Sequence, residues 1–581
     1  MAVKALGSHV LIVCALAAAP LVVRTAGPGR RASLPAYFAF TQTGLSASEP
    51  NQQVLRVTTR LVVVNVVVHD KTGAPVAGLT RDEFTVFDGG KEEKISVFSV
   101  ERRGAMHGPT EPLSPNVFSN RMARQGGIPI SITAILLDGS GEWSSTTGLE
   151  YFAYARQQLI KFLSQLQPQD RVALYVYGRG LSVIQDFTSD PSPLIEALRQ
   201  SGNAAAGAPD TGPQPGAPET PLQGLSGPAA VAASRLDARM SDSVNARFGD
   251  YWRLYRLEAL EATANHLSGL PGRKTLIWLT SGVPLPLESS AHFGLGHPGG
   301  SSPLVEDKVR QTIQALNQAD VALFPVDSRG LFTNPDFKAE NEGRVPYELG
   351  TRGGLDAMTL QIQAMIYWGE ETGGRAFCNT NDLRSAMRTA LDDSEITYTL
   401  GYYPSHGQWD GRYRSIKVRV NMPGVEVRHR RGYFASPATA GSVERKGRMA
   451  MLKEAALNPL ESTGVGVTVR VRTFKGTNGG YKIEINLSPD LNDLTFQQMN
   501  GRWTGLLDVL AGQYSKEGRS LGGTTKTVAE NMTNATYQEV MRKGLTMTFY
   551  QDVARRAEEL RVVVRDGLSG STGSVKIPLR Q

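Results

Sequence analysis

The first part of the chain carries the alternating pattern of apolar and polar positions that is typical of β-strands. "VLRVTTRLVVVNVVVHD", which starts at residue 54, is a β-branched run with partial alternation. "DEFTVFDGGKEEKISVFSVE" alternates on both sides of a tight "DGGK" turn. Short runs of this kind, bounded by Gly and Asp, predict strands. We therefore predict an N-terminal β domain over 54–101.

The pattern changes at residue 128. "IPISITAILLD" is continuously apolar, as is typical of a strand buried on both faces of a parallel sheet. "LEYFAYARQQLIKFLSQL" then has apolar residues at helical spacing. Strand-like segments ("DRVALYVYG", "RKTLIWLTSG", "VALFPVD", "GRAFC", "ITYTLGYYP") alternate with helical ones up to residue 405. This alternation predicts an α/β domain over 128–405 with a doubly wound, mostly parallel sheet.

The last third of the chain returns to the β pattern. "GRYRSIKVRVNMPGVEVRHRRGYF" predicts a β-hairpin over 410–435 that joins the N-terminal β domain. Alternating runs over 463–580 predict a C-terminal β-sandwich. Within the α/β domain, residues 202–229 are rich in Pro, Gly and Ala, which predicts a flexible insertion.

The N-terminus has the layout of an export signal. Lys4 precedes an apolar run over 10–23, and this run is shorter than the roughly 20 residues that a membrane span needs. We predict a signal peptide over 1–26, followed by a disordered lead over 27–53. The alternative is an uncleaved anchor, which would be the chain's contact with a membrane. Either interpretation places the protein outside the cytoplasm, in the periplasm or beyond the cell.

Composition narrows the class of partner. The 62 Lys and Arg residues exceed the 55 Asp and Glu residues by only seven, and no long basic block is present, which argues against nucleic acid as a partner. Once the signal peptide is removed, Cys378 is the remaining cysteine, so an internal disulfide is excluded. We expect Cys378 to be a small core residue on a buried strand rather than a reactive thiol.

The order of these segments resembles a known family. "LLD", "YARQQLIKFLSQLQPQDRVALYVYG", "RKTLIWLTSG", "VALFPVD" and "YTLGYYP" together resemble a von Willebrand factor A (vWA) domain. With the flanking "VVVNVVVHDKTGAPVAGLTRDEFTVFDGG" and "YRSIKVRVNMPGVEVRHRRGYFA", the chain is more similar to the VWFA-related proteins of Acidobacteria. The resemblance implies a fold and an export route, and it implies no reaction.

The vWA resemblance also implies a metal site that this sequence keeps only in part. The family binds a divalent cation through an Asp-x-Ser-x-Ser loop, a distant Thr and a later Asp. Asp138 and Ser140 match the loop, Glu142 stands in place of its second Ser, and Thr188 is the candidate for the distant Thr. Ser281 stands where the later Asp is expected. Mg²⁺ prefers hard oxygen ligands and would be the cation, but this degenerate set predicts that no metal is bound.

We expect two further polar residues, His266 and Asp327, to have structural roles. His266 ends a predicted helix before "LSGLPG", and we expect it to cap that helix. Asp327 ends the strand "VALFPVD" beside Arg329, and we expect a turn at the rim of the sheet.

The sequence therefore favours an exported module that binds a protein partner or serves as an envelope scaffold, without enzymatic activity and without a cofactor. One alternative is metal-dependent adhesion through the loop of Asp138 and Ser140. The other is a hydrolase, for which the sequence offers no identifiable acid, base or nucleophile. Neither the partner nor the oligomeric state can be read from the sequence.

Overall fold

The fold is that of a computed structural model, and every residue described lies within 59–581. The structure describes residues 61–102, 114–121, 132–139, 146–167, 169–178, 180–206, 253–270, 272–283, 303–331, 350–435, 445–458, 460–476 and 480–579. The predicted signal peptide and disordered lead lie outside the described residues.

The described strands, in chain order, are β1 (Val62–His69), β2 (Phe84–Asp88), β3 (Lys91–Glu93), β4 (Ile95–Arg102), β5 (Val117–Ser119), β6 (Ile132–Asp138), β7 (Val172–Tyr177), β8 (Leu181–Thr188), β9 (Lys274–Thr280), β10 (Val321–Asp327), β11 (Ile396–Tyr402), β12 (Tyr413–Val420), β13 (Glu426–Arg428), β14 (Gly432–Phe434), β15 (Val467–Lys475), β16 (Tyr481–Pro489), β17 (Gln497–Met499), β18 (Arg502–Tyr514), β19 (Ser520–Met532), β20 (Met547–Asp552), β21 (Glu559–Asp566) and β22 (Thr572–Pro578). The helices are α1 (Thr146–Leu163), α2 (Pro191–Ala206), α3 (253–267), α4 (Pro303–Gln318), α5 (Gly350–Glu371), α6 (Leu383–Asp392), α7 (Arg445–Leu457) and α8 (Asn534–Lys543).

Two antiparallel sheets, ordered β13-β1-β11-β4 and β14-β12-β2-β3, make up the N-terminal β part of the fold. The segment 410–435 belongs to this part, but the predicted hairpin is wrong, because β12 pairs with β2 and β14 whereas β13 pairs with β1 in the other sheet. In the first half of β1 alternate residues face inward, so Val62, Val64 and Val66 are buried in a shared core, whereas the last four residues of the strand are all buried. The alternation in the first half is typical of a strand with one covered face.

The strand β11 corrects one assignment made from the sequence. We predicted "ITYTLGYYP" as the last strand of the parallel sheet, but β11 pairs antiparallel with β1 and β4. Tyr398 and Tyr402 are fully buried in the core of the N-terminal β part. A strand's own periodicity does not reveal its partner, because pairing depends on residues more than 300 positions away. The α/β part therefore ends before residue 396.

The α/β part is built on a five-stranded sheet of order β10-β9-β6-β7-β8. The first four strands are mutually parallel, and β8 returns antiparallel beside β7. Helices cover both faces, and a separate buried apolar cluster lies on each side. The expected strand at "GRAFC" is wrong, since Phe377 makes only a single bridge to Val326.

The C-terminal part consists of two further antiparallel sheets that enclose one apolar core. The sheet β20-β16-β15-β5 includes the short strand Val117–Ser119, which precedes the α/β part in the chain. The other sheet has the order β17-β18-β21-β22, and β19 pairs along the length of β18. The whole described fold is therefore mixed α/β, with several antiparallel sheets and one sheet that contains parallel strands.

The end of α3 is capped by a residue other than the one we predicted. The hydroxyl of Thr463 donates to the carbonyl of His266 and accepts from the amide of Gly269, with distances of 2.6 Å and 2.8 Å. The ring of His266 contacts another part of the chain, since its Nδ1 lies 2.6 Å from the carbonyl oxygen of Glu461. Thr463 therefore holds the C-terminal part against α3, and His266 adds a second contact across the same junction.

The predicted insertion at 202–229 overlaps the described part of the chain only at its start. Helix α2 continues to Ala206, so the first five residues of the predicted insertion are helical. Residues 207–229 lie outside the described residues. Among the helices in the described ranges, none has both the length and the apolar character that crossing a membrane requires.

Candidate functional site

Polar side chains gather where the parallel strands end. Asp138, Thr280 and Asp327 are the last residues of the adjacent strands β6, β9 and β10, and Asp327 pairs in register with Thr280. The carboxyl ends of parallel strands form one edge of the sheet, which is where doubly wound sheets bind ligands. We call this edge, with the turns that follow it, the rim.

The carboxylate of Asp138 is buried and makes several contacts inside the protein. Its Oδ2 accepts a hydrogen bond from the indole Nε1 of Trp278 at 3.2 Å. The hydroxyl of Thr280 lies 2.9 Å from the same oxygen, and it also lies 2.7 Å from the carbonyl of Gly282, so its one hydrogen serves one of these acceptors at a time. Leu137 pairs with Leu279, so Asp138 is level with Thr280, and Trp278 lies two residues earlier on the same face of β9.

A cation supplied by the protein faces this carboxylate. The Nε of Arg256, on α3, lies 3.3 Å from Oδ2 of Asp138, and only 13% of the Arg256 side chain and 1% of the Asp138 side chain are exposed. The Nη1 of Arg256 also donates to the carbonyl of Gly282 at 3.1 Å. The guanidinium therefore bridges the end of β6 and the turn after β9. In this buried setting it supplies the positive charge that a bound cation would otherwise provide to Asp138.

Tyr177, at the end of β7, forms a neighbouring wall of the rim. Burial raises the pKa of its phenol, and the charge of Asp138 raises it further. Its hydroxyl is buried and has no hydrogen-bond partner in the described part of the chain. Tyr177 therefore stays protonated and does not serve as an oxyanion ligand.

The second carboxylate at the rim is also paired with an arginine. Oδ1 of Asp327 accepts from Nε of Arg329 at 2.8 Å, and Oδ2 accepts from Nη2 at 2.7 Å, a bidentate ion pair. This confirms the predicted turn, which continues through Gly330 at a φ of +76°. Beyond it, the amide of Leu331 donates to Oδ1 of Asn381 at 2.7 Å. The described rim thus presents carboxylates that are already neutralised and an apolar side chain, Leu331, that is 55% exposed.

The structure separates Thr188 from the residues it was predicted to join. Thr188 pairs with Val172 at the start of β7, and Val172 pairs with Thr133, five residues before Asp138 on β6. At about 3.3 Å per residue, Thr188 lies roughly 16 Å from the level of Asp138, at the opposite edge of the sheet. The assignment of Thr188 as a metal ligand is wrong, because an antiparallel hairpin returns its end to the start of its partner strand.

The remaining predicted ligands, Ser140 and Glu142, lie outside the described residues. Within the described residues, no group of three or more His, Cys, Asp or Glu side chains is placed to hold a metal ion. Ser281 follows Thr280 at the rim and supplies no carboxylate.

Sequence reasoning missed Arg256 and Trp278. Arg256 is 118 positions from Asp138, in a helix whose apolar residues carry the visible pattern, so nothing local marks it as a partner. Trp278 looked like any apolar residue of a buried strand, although its indole N–H is a donor that needs an acceptor when it is buried. The indole N–H of Trp278 is therefore the one feature of the sequence that indicates a hydrogen-bond acceptor near the end of β9.

Cys378 is partly buried and lies just after the single bridge of Phe377. Burial raises the pKa of its thiol to about 12, and the nearby charge of Asp327 acts in the same direction. Its Sγ lies 3.5 Å from the sulfur of Met365. A thiol with so high a pKa carries little thiolate at neutral pH and is a poor nucleophile.

Comparisons with known proteins give weak structural likenesses. No family model matches the chain, and no curated protein matches it. Among solved structures, the chain is similar to a von Willebrand factor type A protein from Catenulispora acidiphila, with 10% identity over 84% of this chain and 73% of the other and a TM-score of 0.22. It is also similar to three N-terminal domains of the type V pili tip protein Mfa5 from Porphyromonas gingivalis, with 9% identity, 84% and 77% coverage and a TM-score of 0.24.

A further likeness is to an aerotolerance-related membrane protein from Bacteroides fragilis, with 13% identity over 46% of this chain and 99% of the other and a TM-score of 0.23. TM-scores this low do not show that the chain shares a function with any of these proteins.

Proposed function

We propose that this chain is an exported, non-enzymatic module that binds a protein partner through the rim of a vWA-like α/β domain, without a metal ion. The observation that carries the proposal is the buried ion pair between Asp138 and Arg256. A divalent cation that used Asp138 would have to compete with a guanidinium already fixed by a second contact to Gly282. Mg²⁺ loses its waters reluctantly, so it competes poorly for a carboxylate that is already neutralised.

The composition of the rim supports protein binding. Asp327 is neutralised by Arg329, and Leu331 beside this pair is 55% exposed. An apolar side chain next to satisfied charges fits the core of a protein interface better than a site for a small ion. The raised pKa of Cys378 removes the remaining cysteine of the predicted mature chain as a candidate nucleophile for the hydrolase alternative.

Metal-dependent adhesion through Asp138 and Ser140 remains the competing proposal, and capture of a partner distinguishes the two. The immobilised protein should retain the same envelope protein in chelator and in millimolar Mg²⁺. Leu331→Lys should abolish this capture. Leu457→Lys should leave it intact, because Leu457 is 58% exposed at the end of α7, away from the rim. Capture that requires Mg²⁺ would favour metal-dependent adhesion. Equal capture by the Leu331 and Leu457 variants would show that the rim does not bind the partner.

The export part of the proposal is tested separately. The Lys4-led apolar run motivates it, and fractionation of the native host should recover the chain outside the cytoplasm. A full-length cytoplasmic pool would contradict export without affecting the argument about the rim.

A further inference from the structure

A groove lies on the opposite side of the α/β part from the rim. It runs between α4 and the N-terminal β part and has a volume of about 360 Å³. Its lining includes the first residues of β1, the last turn of α4, and aromatic residues before and after β12. This volume falls within the range of about 300–1,000 Å³ that is usual for small-molecule sites.

Aromatic rings with fixed orientations form one wall of the groove. The hydroxyl of Tyr413 donates to Glu371 at 2.7 Å, and that of Tyr433 donates to Asp88 at 2.8 Å. The ring centroid of Trp409 lies 6.0 Å from that of Tyr433. Because hydrogen bonds at the ring tips and ring–ring contacts fix these planes, the wall offers a preformed flat surface.

Two charged residues at the floor of the groove have unused hydrogen-bonding capacity. Arg430 donates from Nη1 to the carbonyl of Asn317 at 3.3 Å and from Nη2 to that of Val63 at 2.7 Å. Its Nε is buried and has no partner among the described residues. The carboxylate of Asp320 also lines the groove and accepts no hydrogen bond from the described residues. Burial raises the pKa of this carboxyl, and the charge of Lys274 opposes that shift.

The balance of charge at the floor decides between classes of ligand. The charges of Lys274, Arg430 and Arg273 already act on Asp320, so a cationic ligand would be repelled by these three side chains. An anion would approach the carboxylate of Asp320 itself. A neutral hydroxyl group has neither conflict, because it can donate to the carboxylate and accept from the guanidinium of Arg430, which lines the groove.

From this geometry we propose that the groove binds a neutral carbohydrate, with one sugar ring against the aromatic wall. The flat apolar face of a sugar ring packs on Trp409 or Tyr413, and its hydroxyls reach Asp320 and Arg430 at the floor. The side-chain amides of Gln314 and Gln318 on α4 also line the groove, and an amide can both donate to and accept from hydroxyls. This site is distinct from the rim and does not depend on the function proposed there.

The experiment measures binding of four disaccharides (cellobiose, maltose, lactose and N,N′-diacetylchitobiose) to the full chain by calorimetry and saturation-transfer NMR. At least one should bind saturably in the millimolar range or tighter. Asp320→Asn should weaken that binding at least about tenfold, because hydrogen bonds to charged groups are the stronger ones. Asn tolerates the φ of +52° at this position, so the backbone should be retained.

Trp409→Ala should also weaken sugar binding at least about tenfold. The matched control is Trp503→Ala, which removes a tryptophan stacked on Tyr537 in the C-terminal part and should leave the affinity unchanged. If either groove variant unfolds in a melting curve, Gln318→Ala provides a test at an exposed side chain and should still reduce affinity. The proposal is overturned if none of the four sugars binds, if the folded groove variants bind as well as the unmodified chain, or if sulfate or tetramethylammonium displaces the sugar.

Discussion

Replacing Arg256 by Met tests how much the fold depends on the ion pair at the rim. The substitution keeps much of the length of the side chain and removes the guanidinium, while Trp278 and Thr280 still reach the carboxylate of Asp138. Asp138 is 1% exposed at its side chain, so water cannot replace the lost charge. Removing one partner of a buried pair costs about 3–5 kcal/mol, and we expect the free energy of unfolding to fall by that amount. Urea unfolding followed by circular dichroism measures it.

A double-mutant cycle separates the ion pair from other effects of the substitution. Asp138→Asn removes the other charge, and the double variant should be more stable than the sum of the two single losses predicts. Arg310→Met is the matched control, because Arg310 pairs with Asp307 on the surface of α4, where both side chains are about half exposed. Arg310→Met should lower the free energy of unfolding by no more than about 1 kcal/mol. Additive losses at Arg256 and Asp138, or a loss at Arg256 as small as the control, would refute the buried pair.

Two further predictions concern the turn after β10 and the junction with the C-terminal part. Gly330→Ala should lower the free energy of unfolding by about 2 kcal/mol or more, because φ is +76° and a Cβ would lie 2.5 Å from Oδ1 of Asn381. The control Gly407→Ala, at a φ of +60° with open space around it, should lower it by only about 1 kcal/mol. Equal urea midpoints for the two variants would contradict this. Burial lowers the pKa of His266, so the unfolded state binds more protons and the stability that this residue contributes falls as the pH drops below about 6.5. His266→Asn keeps a donor toward the carbonyl of Glu461 and does not titrate near this pH. The stability of this variant relative to the unmodified chain should therefore rise as the pH is lowered from 7.5 to 5.5. A constant difference would contradict a lowered pKa for His266.

The sequence predicted elements well where one local pattern decides them. The continuous apolar runs of β6, β9 and β10 become the buried parallel strands, and the partial alternation of β1 becomes a strand whose first half has one buried face. Hydrophobic periodicity reports which side of an element is covered, and it does so without knowledge of the partner.

Pairing and site composition were predicted less well, because both depend on distant residues. β11 has the aromatic and β-branched pattern of any strand, and only its contacts with β1 and β4 assign it to the N-terminal β part. Thr188 was chosen for its sequence context, but the register of β8 carries it to the far edge of the sheet. Arg256 reaches Asp138 from a helix whose packing angle no local signal encodes.

The most direct test of the metal-free rim is the change in melting temperature between millimolar Mg²⁺ or Mn²⁺ and excess chelator. A cation that bound only the folded state would stabilise it by about 2.7 kcal/mol at a hundredfold excess over its Kd, which a melting curve resolves. We predict no resolvable difference for the unmodified chain, because the guanidinium of Arg256 already neutralises Asp138. A clear rise in the metal-containing samples that Asp138→Ala abolishes would contradict the account and would show that the loop of Asp138 and Ser140 holds a cation.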